Sequence, residues 1–173
     1  VEFWNHGWDH RRWEEQGAYR SEFSGTGHEH QKNHISMVQA AGEKVFGKRF
    51  ITFGSPFNDM DADTAKSLNE FPELKLVFCR PDAEPAKLLK DKILMPMTMK
   101  GEHDGTGKPN FTKFKEEYEK MAASPMTFCA FQFHPAVFSE EGFADFVRII
   151  EFLKKDGWTF MLPADYARLP STR

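Results

Sequence analysis

Cysteine is scarce in this chain: its 173 residues hold two, Cys79 and Cys129. Each stands at or near the end of an apolar run, where a small buried thiol fits better than half of a disulfide. Two cysteines build no disulfide framework and fix no compartment. No apolar run approaches the roughly 18 residues that a membrane-spanning helix needs, so no membrane span is expected. Basic residues are not in excess: 23 Lys and Arg face 26 Asp and Glu, for a formal net charge of −3. That balance excludes the strongly basic surface a nucleic-acid partner calls for. No basic leader opens the chain, which starts Val1-Glu2-Phe3-Trp4, so no signal peptide is read. An initiator Met is also missing, which leads us to expect a segment removed or left out upstream. Internal repeats and low-complexity stretches are absent.

What is present suits one globular domain over 1–173, with 40% apolar and 28% charged residues. Phenylalanine is abundant, at 18 residues. Most of these belong in a core, although aromatics also line carbohydrate sites. Short apolar runs occur at Val1–Trp4, Arg49–Phe53, Leu74–Cys79, Ile93–Met97, Met126–Phe133 and Trp158–Leu162, each of strand length. Helical spacing fills the gaps. His30–Phe46 places Ile35, Val38, Ala41 and Val45 along one face, and Thr26 with Glu29 reads as a capping box before it. Asp63–Glu70, Phe111–Met121 and Glu140–Lys155 follow, the last ended by Gly157. Strand alternating with helix six times predicts an α/β fold with a parallel sheet, either open or an incomplete barrel.

In parallel α/β folds the chemistry gathers beyond the carboxyl ends of the strands. Three polar segments stand there: Asn5-His6-Gly7-Trp8-Asp9-His10, Gly54-Ser55-Pro56-Phe57-Asn58, and His134-Pro135. His6 and His10 are four residues apart, and a helical turn would aim both imidazoles at one metal ion. His30 and His34, with His28 nearby, form a rival pair with the same spacing. They open a long helix with no carboxylate-bearing strand end obviously near, so they read as helix surface. His134 follows a largely apolar run, and an imidazole there suits a general acid as well as a satisfied core residue. The backbone N–H groups of the Ser55–Asn58 turn could face an oxyanion.

In order along the chain, these pieces resemble the polysaccharide deacetylases of the NodB-homology superfamily, carbohydrate esterase family four. His6-Gly7-Trp8-Asp9-His10 is similar to the family's His-[Ser/Thr]-x-x-His motif. Gly54-Ser55-Pro56-Phe57-Asn58 is similar to its Arg-x-Pro-[Tyr/Phe]-[Gly/Asn] turn, and Gln132-Phe133-His134 loosely follows its Leu-x-His motif. The resemblance implies a distorted (β/α) barrel. It implies hydrolysis of acetyl groups from an N- or O-acetylated polysaccharide or oligosaccharide. A divalent cation, most often zinc, would be held by His6, His10 and an aspartate. The Phe57 backbone N–H would stabilise the oxyanion, and His134 would act as general acid. Members in O-antigen and related pathways set the expected location at the bacterial envelope, or on the cytoplasmic side of envelope-polysaccharide synthesis.

The sequence departs from the family in three places. The Asp-Asp motif that supplies the base and a metal ligand is not among these residues and would lie on a strand before Val1. Gly54 replaces the arginine of the turn, and Gln132 stands where an apolar residue is usual. The partner carboxylate of His134 is open between Asp82 and Asp104. The barrel is therefore expected to be incomplete at its N-terminus, with an open side beside Val1–Trp4. Two rival readings stand beside the deacetylase: a metal hydrolase of another C–N bond, and a catalytically impaired barrel that binds carbohydrate or serves a structural role.

Overall fold

The computed structural model describes residues 1–103, 107–121 and 127–169. In chain order the elements are β1 (Arg12–Glu15), β2 (Ala18–Ser21), α1 (His28–Phe46), β3 (Thr52–Gly54), α2 (Ala62–Asn69), β4 (Leu76–Cys79) and β5 (Ile93–Pro96). After these come β6 (Glu102–His103), β7 (Lys108–Pro109), α3 (Phe111–Met121), α4 (Glu140–Lys155) and α5 (Pro163–Tyr166). The described residues fall into two compact units, one formed by 1–96 with 161–169 and the other by those within 97–160.

The first unit is built on a parallel sheet in the order β3-β4-β5. Phe53 pairs with Val77, and Phe78 with Met95. All four residues of the middle strand are buried, as an apolar run covered on both faces requires. Asn5 adds a single parallel bridge to Phe53. Phe23, Ile35, Phe50, Phe53, Leu68, Leu74 and Val77 form the core. Each such side chain contributes about 1.5–3 kcal/mol by leaving water. The buried face of α1 is Gln31, Ile35, Gln39 and Gly42, while Val45 is exposed. At Gly42 the missing side chain admits the Phe50 ring, which would lie 2.7 Å from an added Cβ. The capping box does not form: the N-cap is Gly27, and the Thr26 hydroxyl donates instead to the Glu22 carbonyl at 3.0 Å. A genuine capping box closes α2, between Asp61 and Thr64.

An antiparallel hairpin, β1-β2, spans residues to which the sequence assigned no element. Its turn residues Gln16 and Gly17 have φ of 52° and 77°, the left-handed values that a type I′ turn requires. In the second unit, α3 and α4 enclose Met99, Phe114, Tyr118, Ile149 and Leu153. Phe131 and Phe133 join that cluster edge-on, against Phe114 and Phe146. The small hairpin β6-β7 completes this unit.

The distorted barrel is therefore corrected. Among the described residues the sheets have two, three and two strands, only one of them parallel, and none closes into a barrel. Three expected strands account for the difference. Val1–Trp4 gives no strand, and Val1 and Phe3 are exposed. Cys129, Phe131 and Phe133 pack on the aromatic cluster, and the Ala130 carbonyl takes the Thr98 N–H at 2.9 Å without a ladder forming. Phe160, Met161 and Leu162 stay exposed. An apolar run records a preference for burial, and strand pairing needs a partner edge as well. Both cysteines are free thiols, Cys79 buried. No helix among the described residues is long and apolar enough to cross a membrane.

Candidate functional site

The site of interest in the first unit begins at Asn5, which is fully buried beside the end of β3. Its N–H donates to the Thr52 carbonyl at 2.9 Å and its carbonyl accepts from Gly54 N–H at 3.1 Å. Its side-chain amide donates to the Ile35 carbonyl at 3.0 Å, and Oδ1 accepts the Gly7 N–H at 3.3 Å. The chain thus leaves the sheet from a residue fixed on every side. The next segment is not helical, contrary to the sequence expectation. Gly7 and His10 both take left-handed φ values, 78° and 52°. Those two reversals, rather than a helical turn, bring the His6 and His10 rings to 5.2 Å between centroids, inclined at 54°.

That spacing fits shared ligation. A zinc-bound imidazole nitrogen lies about 2.0–2.1 Å from the ion, so two ring centres at a tetrahedral angle lie about 5 Å apart. His6 Nδ1 lies 2.6 Å from the Gly54 carbonyl oxygen. A proton on Nδ1, donated there, puts the ring lone pair on Nε2, the arrangement in which a backbone carbonyl orients a metal-ligating histidine. The rival rings of His30 and His34 lie 4.0 Å apart between centroids, inclined at 34°. That separation is too close for a tetrahedral pair of ligands. Burial first, and then the neighbouring His34, hold His30 below the ordinary imidazole value.

The turn after β3 meets this pair. Phe57 packs edge-on against His10 with ring centroids 4.5 Å apart. Phe57 and its neighbour Asn58 have φ of 59° and 55°, a conformation that costs a residue with a Cβ about 1–2 kcal/mol. Partners hold it: Arg80 Nη2 donates to the Phe57 carbonyl at 3.2 Å, and the Arg12 guanidinium stands over the Phe57 ring at 4.9 Å. Next along the chain, Asp59 accepts the Tyr19 hydroxyl at 2.7 Å, and that bond pushes the Tyr19 hydroxyl upward from its usual range.

Behind the turn lies Glu22, fully buried. Its Oε1 accepts the Trp8 N–H and faces His34 Nδ1 at 2.8 Å, while its Oε2 accepts the His10 N–H at 2.9 Å. Asp9, Glu22 and His34 together place one ligand atom each within 4.8 Å of one another, a group that could hold a cation. The Glu22 oxygens in that group are already engaged by three N–H groups.

Three residues singled out from sequence, His6, His10 and Phe57, therefore stand together. His134 belongs to the second unit and is exposed. Its partner is Glu102, which accepts the His134 N–H on one oxygen and faces Nδ1 at 2.6 Å with the other. Of the two sequence candidates, Asp82 is an exposed residue of the first unit, and Asp104 lies outside the described residues. Glu22 and Glu102 both escaped the sequence reading. Neither belongs to a spaced pair or an apolar run. The one available signal for Glu22 was an acidic residue next to Phe23, on the approach to the α1 loop. Compared with protein-family models, curated proteins and solved structures, the chain matches none of them.

Proposed function

We propose that this chain is a metal-dependent hydrolase that removes acetyl groups from an N- or O-acetylated glycan, with His6 and His10 as two ligands of a divalent cation. Zinc is the ion whose tetrahedral preference suits the pair. One observation carries the reading: the 5.2 Å ring separation, with His6 oriented through the Gly54 carbonyl. A bound divalent ion there would polarise an acyl oxygen and lower the pKa of an attacking water. The protein's own share is orientation. Gly54 holds His6, the edge of Phe57 braces His10, and the Phe57 backbone N–H serves as the oxyanion donor. The motif likeness to the polysaccharide deacetylases supplies the substrate class.

The Asp9, Glu22 and His34 group favours a second location for the ion. The two are separated by measuring zinc content of the wild type and of His6→Ala, His10→Ala and Asp9→Asn, together with acetate release from an N-acetylated chito-oligosaccharide. His6→Ala and His10→Ala should lose most of the bound zinc and the acetate release, and Asp9→Asn should keep both. Equal zinc in wild type and His6→Ala, with loss in Asp9→Asn, would move the ion to the second location. A wild type that binds zinc but releases no acetate from acetylated glycans would remove the deacetylase assignment and leave the metal site.

A further inference from the structure

We propose that Glu22 is a positioning residue for the His6 and His10 pair: its buried carboxylate gathers the peptide N–H groups of Trp8 and His10 and fixes the turn in its ligating shape before an ion arrives. The proposal rests on the metal reading above.

A buried carboxylate costs several kcal/mol unless its lone pairs are used. The core of this unit gains nothing from one, since Phe23, next in the chain, already supplies the apolar contact with Phe53. What Glu22 touches accounts for its presence. Two of its donors lie within the short segment that joins the two imidazoles, and one of them is the peptide N–H of His10 itself. The third is the His34 ring, which lies against the His30 ring. The Glu22 backbone is fixed as well. Its N–H donates to the Arg11 carbonyl at 2.9 Å, just beyond the turn, and its carbonyl accepts the Thr26 hydroxyl at 3.0 Å. The turn is thus held from within by the carboxylate and from its far end by the same residue's main chain.

Gly7 shows how close the fit is. A Cβ at position 7 would lie 2.5 Å from Glu22 Oε2 and 2.8 Å from both Oε1 and Cδ. The carboxylate fills the space a side chain would need, so the turn closes on Glu22 with no room to spare. An N–H bonded to water leaves a loop free to sample other shapes, whereas one bonded to a buried, immobile carboxylate does not. A histidine pair held in this way meets its ion without first ordering the loop, and that preorganisation appears as affinity.

The test is the affinity for zinc alone, by competition with a chelator, on wild type, Glu22→Gln, Asp9→Asn and Leu68→Ala. Leu68 is fully buried in α2 and serves as a destabilised control. Glutamine keeps the size of Glu22 but turns an N–H toward one of the donors. Outer-shell changes of this kind typically cost about 10- to 100-fold in metal affinity, and that loss is expected for Glu22→Gln while Asp9→Asn keeps wild-type affinity; a matching loss in Asp9→Asn would make Glu22 a direct ligand and overturn the proposal. Leu68→Ala should lower stability and leave zinc affinity unchanged. Equal zinc affinity in wild type and Glu22→Gln overturns the proposal, as does an equal loss in Leu68→Ala. A wild type that takes no zinc sinks the metal reading, and this proposal with it. If Glu22→Gln does not fold, amide hydrogen exchange on the metal-free wild type decides. Protected Trp8 and His10 amides support the clamp, and amides exchanging at the rate of open chain refute it.

Discussion

A single methyl group placed on Gly7 tests the packing of the turn directly. Two penalties act at that position. Gly7 has a φ of 78°, which costs a residue with a Cβ about 1–2 kcal/mol. The new Cβ also meets the Glu22 carboxylate at 2.5–2.8 Å, distances that real Cβ atoms essentially never show. Relief would require Glu22 to move, and every movement strains its bonds to Trp8, His10 and His34. Leaving one buried polar group unpaired costs about 1–3 kcal/mol. Gly7→Ala should therefore lose about 2–5 kcal/mol, the sum of the two effects. Gly17 provides the control. Its φ is 77°, and nothing lies within 4 Å of its added Cβ. Gly17→Ala should lose about 1–2 kcal/mol, from the backbone alone. Urea denaturation of both variants gives the two losses, and their difference isolates the collision with Glu22. Equal losses would show that the carboxylate yields freely, and the clamped turn would be refuted along with the arithmetic.

Three further outcomes are expected. Phe114→Ala should cost the second unit about 3–5 kcal/mol, since Phe114 is fully buried among Tyr118, Phe131 and the α4 side chains, and calorimetry reads the loss. A loss under about 1 kcal/mol would mean that cluster closes over the gap. Stability should fall with pH at His30, whose folded value is lowered by burial and by His34. The unfolded chain takes up its proton near the ordinary value of about 6.5, before the folded protein does, so unfolding free energy drops as pH falls through that point and levels off below the folded value. His30→Gln should flatten that part of a urea-denaturation profile, and an unchanged profile would refute the assignment. Tyr118→Phe should destabilise the second unit by about 1–3 kcal/mol, because the Trp158 indole N–H loses its 2.7 Å acceptor and Asp156 its hydroxyl donor. Near-ultraviolet circular dichroism through the thermal transition measures it, and an unaltered midpoint would show that water replaces the hydroxyl.

The three long helices were plain in the sequence, because a period of 3.6 over ten or more residues leaves few alternatives, whereas the single turn of α5 was not read. Phe111–Met121 and Glu140–Lys155 fall on the observed residues, and α1 begins two residues before its expected start. β4 and β5 lie inside the expected runs Leu74–Cys79 and Ile93–Met97 and are shorter than them, while β3 overlaps only the end of Arg49–Phe53 and runs one residue past it. The hairpin β1-β2 was not legible: Arg12-Trp13-Glu14-Glu15 and Ala18-Tyr19-Arg20-Ser21 are too polar to read as strands, and only the Gln16-Gly17 turn hints at them. At the site, Phe57 lies just past the end of β3, a position that sequence reveals, whereas His6 and His10 were placed by a strand at Val1–Trp4 that does not form, and the Asn5 bridge to Phe53 holds their segment instead. Glu22 could not be found, because its burial depends on peptide N–H groups that converge only once the turn has formed. The preference for His6 and His10 over His30 and His34 was argued from a missing carboxylate near the second pair. That ground was mistaken, since Glu22 stands against His34. The ring geometry supplies the better reason.

Gln31 and Gln39 on the buried face of α1 also govern which arrangements the chain can mistake for its own. Gln39 binds both main-chain groups of Phe50, donating to the carbonyl at 3.0 Å and accepting the N–H at 3.2 Å, while Gln31 reaches Thr26 and Asp61. A helix with a wholly greasy underside could slide along the sheet by one turn and find nearly equal contacts. Here a slip of that size would strand two carboxamides and a peptide group in a dry interior, each at about 1–3 kcal/mol. The amides act as a key cut for one lock. They give up some oiliness so that α1 seats in a single register, and the register of α1 is what delivers His34 to Glu22.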